Sequence, residues 1–442
     1  MHSEINSTDS TPTSTDKIDH TTSYYAASAN KSPEREQLND SIDADVCIVG
    51  GGFSGLSAAL HLSAQGRHVT LLEGARIGWG ASGRNGGQLI HGLNASLDTV
   101  GKRYGQETAN FIGGLVQEGA GVIRQLIKDH GIECDLKQRS IFAAFNARQM
   151  RELEAKQTLW RTHGMDDHEM LDRNSIKNHV GTDQYVGGML DHSGGHIHPL
   201  NLALGEAAAL EKVGGKIYEQ SRVTRIDSIE NKPVVITANG SVRCKTLVVC
   251  GNAYLGRSVP ALESRVMPVS TQIMATEPLS DELANALLPT DSSVEDVRYI
   301  LDYYRLSADK RLLWGGGTVY GGSEPSDIIA KLRPNMEKVF PEMRGVKISH
   351  AWSGNFALTF SRVPLLGKLG PEVFYAMGYS GHGVTGTHLF GKLLAEAIEG
   401  KTDRFDRFAA LPWYPFPGGQ RFRAPYSTVG SWWYGMRDAL GV

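Results

Sequence analysis

Unbroken apolar runs near both ends of the chain are each followed at once by glycine. Val46-Cys47-Ile48-Val49 predicts a strand buried on both faces. After Gly50-Gly51-Gly52-Phe53-Ser54-Gly55, the residues Leu56, Ala59, Leu60 and Leu62 keep helical spacing up to Gly66. Val69-Thr70-Leu71-Leu72 then predicts a second buried strand, ending on Glu73. Further on, a helical period covers 105–130, a strand 140–145 and a charged surface helix 148–160. Pro199 opens a helix over 199–213 that stops at Gly214-Gly215. Short strands follow at 216–219 and 223–226, then a hairpin turning at Asn239-Gly240 and a buried strand at 246–250 that ends on Gly251-Asn252-Ala253. Strand character returns over 266–276 and 297–317, with a turn at Ala308-Asp309-Lys310. Alternation there puts Tyr303 and Arg305 on one face and Tyr304 on the other. A helix over 325–340 is interrupted by Pro334. The strand 373–376 leads into Met377-Gly378-Tyr379-Ser380-Gly381-His382-Gly383-Val384-Thr385-Gly386 and an amphipathic helix through Ile398, closed by Gly400.

The first strand–glycine–helix unit has the G-x-G-x-x-G spacing of a dinucleotide fold at Gly50, Gly52 and Gly55. The first glycine allows the tight turn, the second admits a pyrophosphate to the backbone, and the third lets helix lie close on strand. Glu73 falls where an acid takes ribose hydroxyls. The run from Arg76 to Gln88 carries glycines at 78, 80, 83, 86 and 87, too many for a regular element. Backbone without side chains can press against a flat ligand, and Ser82 adds a hydroxyl for phosphate. The second cluster repeats the unit without a partner acid. A helix N-terminus there suits a ligand that becomes negative.

Composition removes other classes. Lys+Arg 45 against Asp+Glu 48 in 442 residues, with no long basic block, argues against a nucleic-acid partner. The four cysteines form no C-x-x-C pair, as expected of reduced thiols in the cytoplasm. No apolar run approaches the ~18 residues of a membrane span. The polar start reads as a disordered tail over 1–22 rather than a secretory signal. His192, His196 and His198 lie close together without a completing ligand set, so no metal is expected. The last forty residues concentrate Trp413, Tyr414, Phe416, Phe422, Tyr426, Trp432, Trp433 and Tyr434 with Arg421, Arg423 and Arg437. Packing over a domain junction is the expectation, with a membrane surface or partner as the alternative.

Taken together, the glycine runs at 50–55, 78–88, 251–253 and 378–384 resemble the flavin-binding pattern of the D-amino-acid-oxidase-like FAD enzymes. Longer stretches at 23–30, 191–204, 301–306 and 411–419 are similar to the branch of that family acting on gamma-glutamylated amines. The resemblance implies an α/β fold of two domains. A Rossmann-like FAD domain would come from 43–100, 195–260 and 350–402, and a mixed-sheet α+β substrate domain from 101–194 and 261–349, with 403–442 as an extension. It implies FAD as cofactor, with Gly50, Gly52 and Gly55 on the pyrophosphate and Glu73 on the ribose. Arg76, Ala81, Ser82, Gly86, Gly87 and Gln88 would follow the phosphate and ring. Val223 would meet the adenine end and Gly251 the underside, while Gly381, His382, Gly383 and Val384 close on the flavin edge. The implied reaction oxidises the primary amine of gamma-glutamylputrescine to an aldehyde through an imine, with dioxygen as acceptor and ammonia and hydrogen peroxide released. An amine dehydrogenase serving a quinone or carrier protein stays open beside it.

The amino-acid oxidases of this family resemble one another in a W-x-G-x-R run whose arginine holds the substrate carboxylate. Here it reads Trp352-Ser353-Gly354-Asn355-Phe356, with Arg362 a few residues on. Loss of the guanidinium fits an amine whose reacting carbon bears no carboxylate. Such an amine must lose a proton before hydride can leave, at a cost of about 4–5 kcal/mol at pH 7. Aromatic walls that exclude water offset part of this, with Tyr304, Trp352 and Phe356 as candidates. His382 is a candidate proton acceptor or a backbone contact, and Arg305 a candidate for the carboxylate at the far end of the substrate.

Overall fold

The computed structural model describes residues 17–440, whose strands form an eight-stranded and a nine-stranded sheet. The first sheet runs in the order Leu365–Gly370, Val373–Met377, Ser241–Val249, Ser41–Val49, Val69–Leu72, Lys216–Tyr218. Its four pairings from Val373–Met377 onward are parallel, the edge strand Leu365–Gly370 pairs antiparallel, and Val46 to Val49 are buried as their apolar run requires. Helix Phe53–Ala64 is buried almost all round, because it lies between this sheet and helix Val384–Ile398. A Cβ on Gly55 would stand 2.0 Å from the Gly50 carbonyl oxygen, so helix and strand could not approach this closely with any other residue.

The second sheet runs Ile348–Leu358, Met267–Thr276, Leu312–Tyr320, Tyr303–Leu306, Ser293–Asp296, Lys137–Ala144, Gly187–His196, Gln88–Leu89, with His168–Asp172 beside Gly187–His196. Its two faces differ sharply. On one, Tyr304 stacks on Trp314 at 4.5 Å in a core with Phe340 and Met274. On the other, Phe142, Tyr303, Ile273 and Trp352 pack toward the core shared with helix Phe53–Ala64.

Several expectations shift. Residues 350–358 belong to the second sheet, paired with Met267–Thr276, so the chain returns to the first sheet only at Leu365 and the expected boundary at 350 falls inside a strand. Ile18 donates its N–H to Gln220 Oε1 and Trp79 Nε1 donates to the Asp19 carbonyl. Order therefore begins before 22; residues 1–16 of the expected tail lie outside the described residues. The helical stretch 105–130 is two helices, Gln106–Val116 and Glu118–His130, while Ile328–Val339 continues through Pro334. The hairpin loop is Ala238-Asn239, one residue earlier than expected, because Thr237 and Gly240 pair through Thr237 N and the Gly240 carbonyl.

Of the described C-terminal aromatics, Trp413, Tyr414 and Phe416 pack on the body of the protein, and those of the final helix do not. Phe416 is buried beside Met267, Val269 and Leu358, but Phe422, Tyr426 and Trp433 of helix Gly419–Leu440 are 47%, 57% and 59% exposed. The side chains of Trp432, Tyr434 and Arg437 lie outside the described residues. Among the described residues no helix is long and apolar enough to cross a membrane.

Candidate active site

The strand ends of the first sheet open on a cleft that gathers Gly50, Gly52, Glu73, Ala81, Ser82, Val223 and Gly251. Helix Phe53–Ala64 begins there with no side-chain cap and no acid in its first turn, leaving N–H groups and the positive dipole end toward the cleft. Ser82 Oγ accepts the Phe53 N–H at 3.0 Å, and a Cβ on Gly52 would lie 2.8 Å from it. Glu73 accepts the N–H groups of Gly51 and Ala75, one at each oxygen, which leaves further lone pairs for hydroxyl donors. Burial raises its carboxyl above the ordinary value. Arg76 is elsewhere: it lines no part of the cleft and pairs with Asp19 and Glu219.

The loop 78–88 is held from three sides. Arg305 donates through Nε to the Gly86 carbonyl (2.7 Å), through Nη2 to the Ile197 carbonyl and Tyr25 hydroxyl, and through Nη1 to the Leu306 carbonyl. Trp352 Nε1 donates to the Arg84 carbonyl at 2.9 Å. Gly87, at φ +76°, accepts the Ile197 N–H, and Gln88 Nε2 donates to the Val294 carbonyl. Arg305 is thus no carboxylate receptor at a pocket mouth. It is buried, with its donors already engaged in fixing the loop. Tyr304 is likewise no pocket wall, since its ring is in the opposite core and its hydroxyl meets Tyr185 at 2.8 Å. Alternation does bring Tyr303 to the loop, where a Cβ on Gly86 would stand 2.6 Å from its ring.

The second glycine cluster meets the first. Ser54 Oγ lies 2.7 Å from the Tyr379 hydroxyl, and Thr385 Oγ1 donates to the Ile90 carbonyl just beyond the loop. Ser380 and Gly381 take positive φ, Gly383 starts helix Val384–Ile398, and that helix too lacks a side-chain cap. Phe356 packs 3.8 Å from the position of a Cβ on Gly381, whereas Arg362 is half-buried and donates to Tyr299. His382 Nδ1 faces Asn94 Nδ2 at 3.3 Å. Removal from water pulls its pKa down to about 4, and the charge of Lys156 acts in the same direction.

Sequence reasoning passed over Lys156 and Glu295. The register places Glu295 beside Phe142 and Tyr303, on the face turned toward the glycine loop. Lys156 Nζ sits 3.7 Å from the centre of the Phe142 ring and 4.5 Å from that of Trp160. The alternation Val294-Glu295-Asp296 was the available signal, since a strand with polar residues on both faces requires an explanation for each. The three clustered histidines divide: His192 faces Glu169, His196 the Asp291 carbonyl, and His198 caps helix Pro199–Lys212 by accepting the Asn201 N–H.

Residues 45–397 match the FAD dependent oxidoreductase (DAO) family. The chain belongs to that family. It is 51% identical over 425 residues to gamma-glutamylputrescine oxidoreductase of Escherichia coli K12, covering 96% of this chain and 100% of that one. It is 38% identical to a probable oxidoreductase, OrdL, of Haemophilus influenzae over 95% of this chain and 98% of the other. Glycine oxidase from Geobacillus kaustophilus superposes with a TM-score of 0.70 at 22% identity, over 82% of this chain and 96% of that one. L-Proline dehydrogenase from P. horikoshii does so with 0.68 at 19%, over 84% and 96%. These two solved structures share the fold.

The protein is an FAD-dependent oxidoreductase, and the cleft fits its cofactor. Gly50 and Gly52 leave room where a side chain would intrude, the uncapped helix start suits the pyrophosphate, and Glu73 suits the ribose. When bound, FAD supplies the hydride acceptor.

Proposed function

We propose that the protein oxidises the primary amine of gamma-glutamylputrescine to gamma-glutamyl-gamma-aminobutyraldehyde, releasing ammonia and hydrogen peroxide with dioxygen as acceptor. The near full-length likeness to the E. coli enzyme carries this reading. Phe356 agrees with it, because an apolar ring at Gly381 has no use for a carboxylate on the reacting carbon. Phe356, Tyr303 and Trp352 supply apolar surface near the loop and exclude water, which lowers the pKa of a bound amine. Gly86, Gly87 and Gln88 would set the ring's position, held by Arg305 and Trp352 acting as positioning residues. His382, with its pKa near 4, stays neutral and serves the loop through Asn94.

The exposed aromatic face of helix Gly419–Leu440 favours a second reading, in which an amine dehydrogenase docks a quinone or carrier protein. Anaerobic bleaching of the yellow protein by a panel of free and gamma-glutamylated amines tests the substrate. Bleaching by plain putrescine as fast as by the glutamylated form would remove the gamma-glutamyl requirement. One peroxide per amine under air supports the oxidase, and substoichiometric peroxide with rapid reduction of a quinone supports the dehydrogenase.

A further inference from the structure

We propose that Glu295 receives the reacting ammonium of the substrate and takes its proton, so that the amine is neutral when hydride leaves its carbon. The proposal rests on reading the substrate as a primary amine.

The cross-strand register places Phe142, Glu295, Tyr303, Gly315, Ile273 and Trp352 in one row across the second sheet. Five of the six are apolar or aromatic, and Glu295 is the one ionisable carboxylate among them. It is 8% exposed, and its carboxylate makes no hydrogen bond or ion pair with any described residue. The neighbouring Asp296, on the other face, is bound twice by Arg298 and accepts the Asp302 N–H. A buried carboxylate without donors is unfavourable unless something supplies them. A primary ammonium brings three donors and a positive charge.

The acid also stands where the chemistry would be. Tyr303, its partner in the row, touches Gly86, and Gln88 donates to the carbonyl of Val294, one residue away. Lys156 lies nearby but is engaged by the faces of Phe142 and Trp160 and forms no ion pair among the described residues, so it leaves the carboxylate oxygens open. Burial and Asp296 raise the Glu295 carboxyl to about 7, with Lys156 opposing them. Lys156 itself is lowered by burial and steadied by Glu295 and Asp191. A carboxyl in that range exchanges protons readily at neutral pH.

The step balances without another reagent. The ammonium gives one proton to Glu295, leaving a free amine and a carboxylic acid. The α-hydrogen then departs with its bonding pair to FAD, and the C–N bond becomes an iminium. Water converts this to aldehyde and ammonium, and the carboxyl proton leaves to solvent with the product.

The test uses the FAD-loaded protein and a gamma-glutamylated diamine whose reacting carbon carries two methyl groups and no hydrogen, so it binds without being oxidised. The matching alcohol serves as the neutral probe. By calorimetric titration at pH 8, Glu295→Gln weakens the amine probe by about 20-fold or more, the scale of one lost charge-assisted hydrogen bond. The alcohol binds both proteins within about threefold. In Lys156→Met the carboxyl loses its neighbouring cation, and the rise of amine affinity with pH moves to higher pH. Equal amine binding by Glu295→Gln and the unaltered protein overturns the proposal, as does an unmoved pH profile in Lys156→Met. The same probes without the gamma-glutamyl group are titrated alongside. If only those bind, the substrate reading fails while Glu295 is still judged from them; if no amine binds, both readings fall.

Discussion

Ser54 Oγ and the Tyr379 hydroxyl stand 2.7 Å apart, joining the first turn of the nucleotide helix to a loop 325 residues further along the chain. This bond sets the spacing of the two glycine clusters. Tyr379→Phe and Ser54→Ala should each lower stability by about 1 kcal/mol, and the double variant should lose little more than either alone. Urea unfolding of the four proteins measures the coupling, and fluorescence of released flavin shows whether the clusters part.

Arg305→Met should destabilise the protein by about 3–5 kcal/mol, because the Gly86 and Ile197 carbonyls lose buried charged donors. Flavin should dissociate more readily. The preference for a gamma-glutamylated amine over a plain one should not change, since the guanidinium binds backbone and Tyr25 rather than substrate. A selective loss for the glutamylated amine would restore Arg305 as a substrate receptor.

His198 predicts an acid-side loss of stability. Burial, with the charge of Arg305, holds its pKa near 3, below the ordinary value of about 6.5. The folded state therefore favours the neutral ring. Stability from this group is full above pH 6.5 and falls as pH drops from there toward 3, by at most about 1.4 kcal/mol per pH unit. Protonation also removes the Nδ1 acceptor that caps helix Pro199–Lys212. His198→Asn keeps a capping oxygen and should flatten the slope of stability between pH 6 and 4. Denaturant midpoints across that range measure it; an unchanged slope would remove His198 from the acid response.

Gly55→Ala should cost about 3 kcal/mol or more and expel flavin, because the added carbon meets the Gly50 carbonyl, which is rigid backbone. Gly66→Ala, at φ +83° in open space, should cost about 1 kcal/mol and leave flavin bound. Melting temperature and the bound-flavin absorbance separate the two.

The nucleotide half of the site was legible in the sequence because its signals are local. Gly50, Gly52, Glu73 and Ser82 lie within 33 residues, and their spacing alone implies a turn, a helix start and an acid at a strand end. Alternation also split Tyr303 and Arg305 from Tyr304 correctly. It does not say which face looks toward the glycine loop, and so the sequence alone offers Tyr304 as a wall and Arg305 as a receptor. That choice depends on which side of the second sheet the distant helix Phe53–Ala64 covers. Glu295 was hidden for the same reason. Its significance lies in the row formed with Phe142 and Tyr303, and only strand pairing brings those three together.

The parallel pairing of Ser41 with Ser241, continued by Leu247 on Val373, has a consequence for synthesis. The central strands arrive roughly 200 and 330 residues apart, so the first sheet cannot close while the ribosome still holds the last quarter of the chain. Until then the apolar run 247–249 lacks its neighbour on one side, and the nascent chain has a sticky edge for a chaperone to shield. Flavin capture is accordingly a late event, following release of the finished polypeptide rather than guiding its first turns.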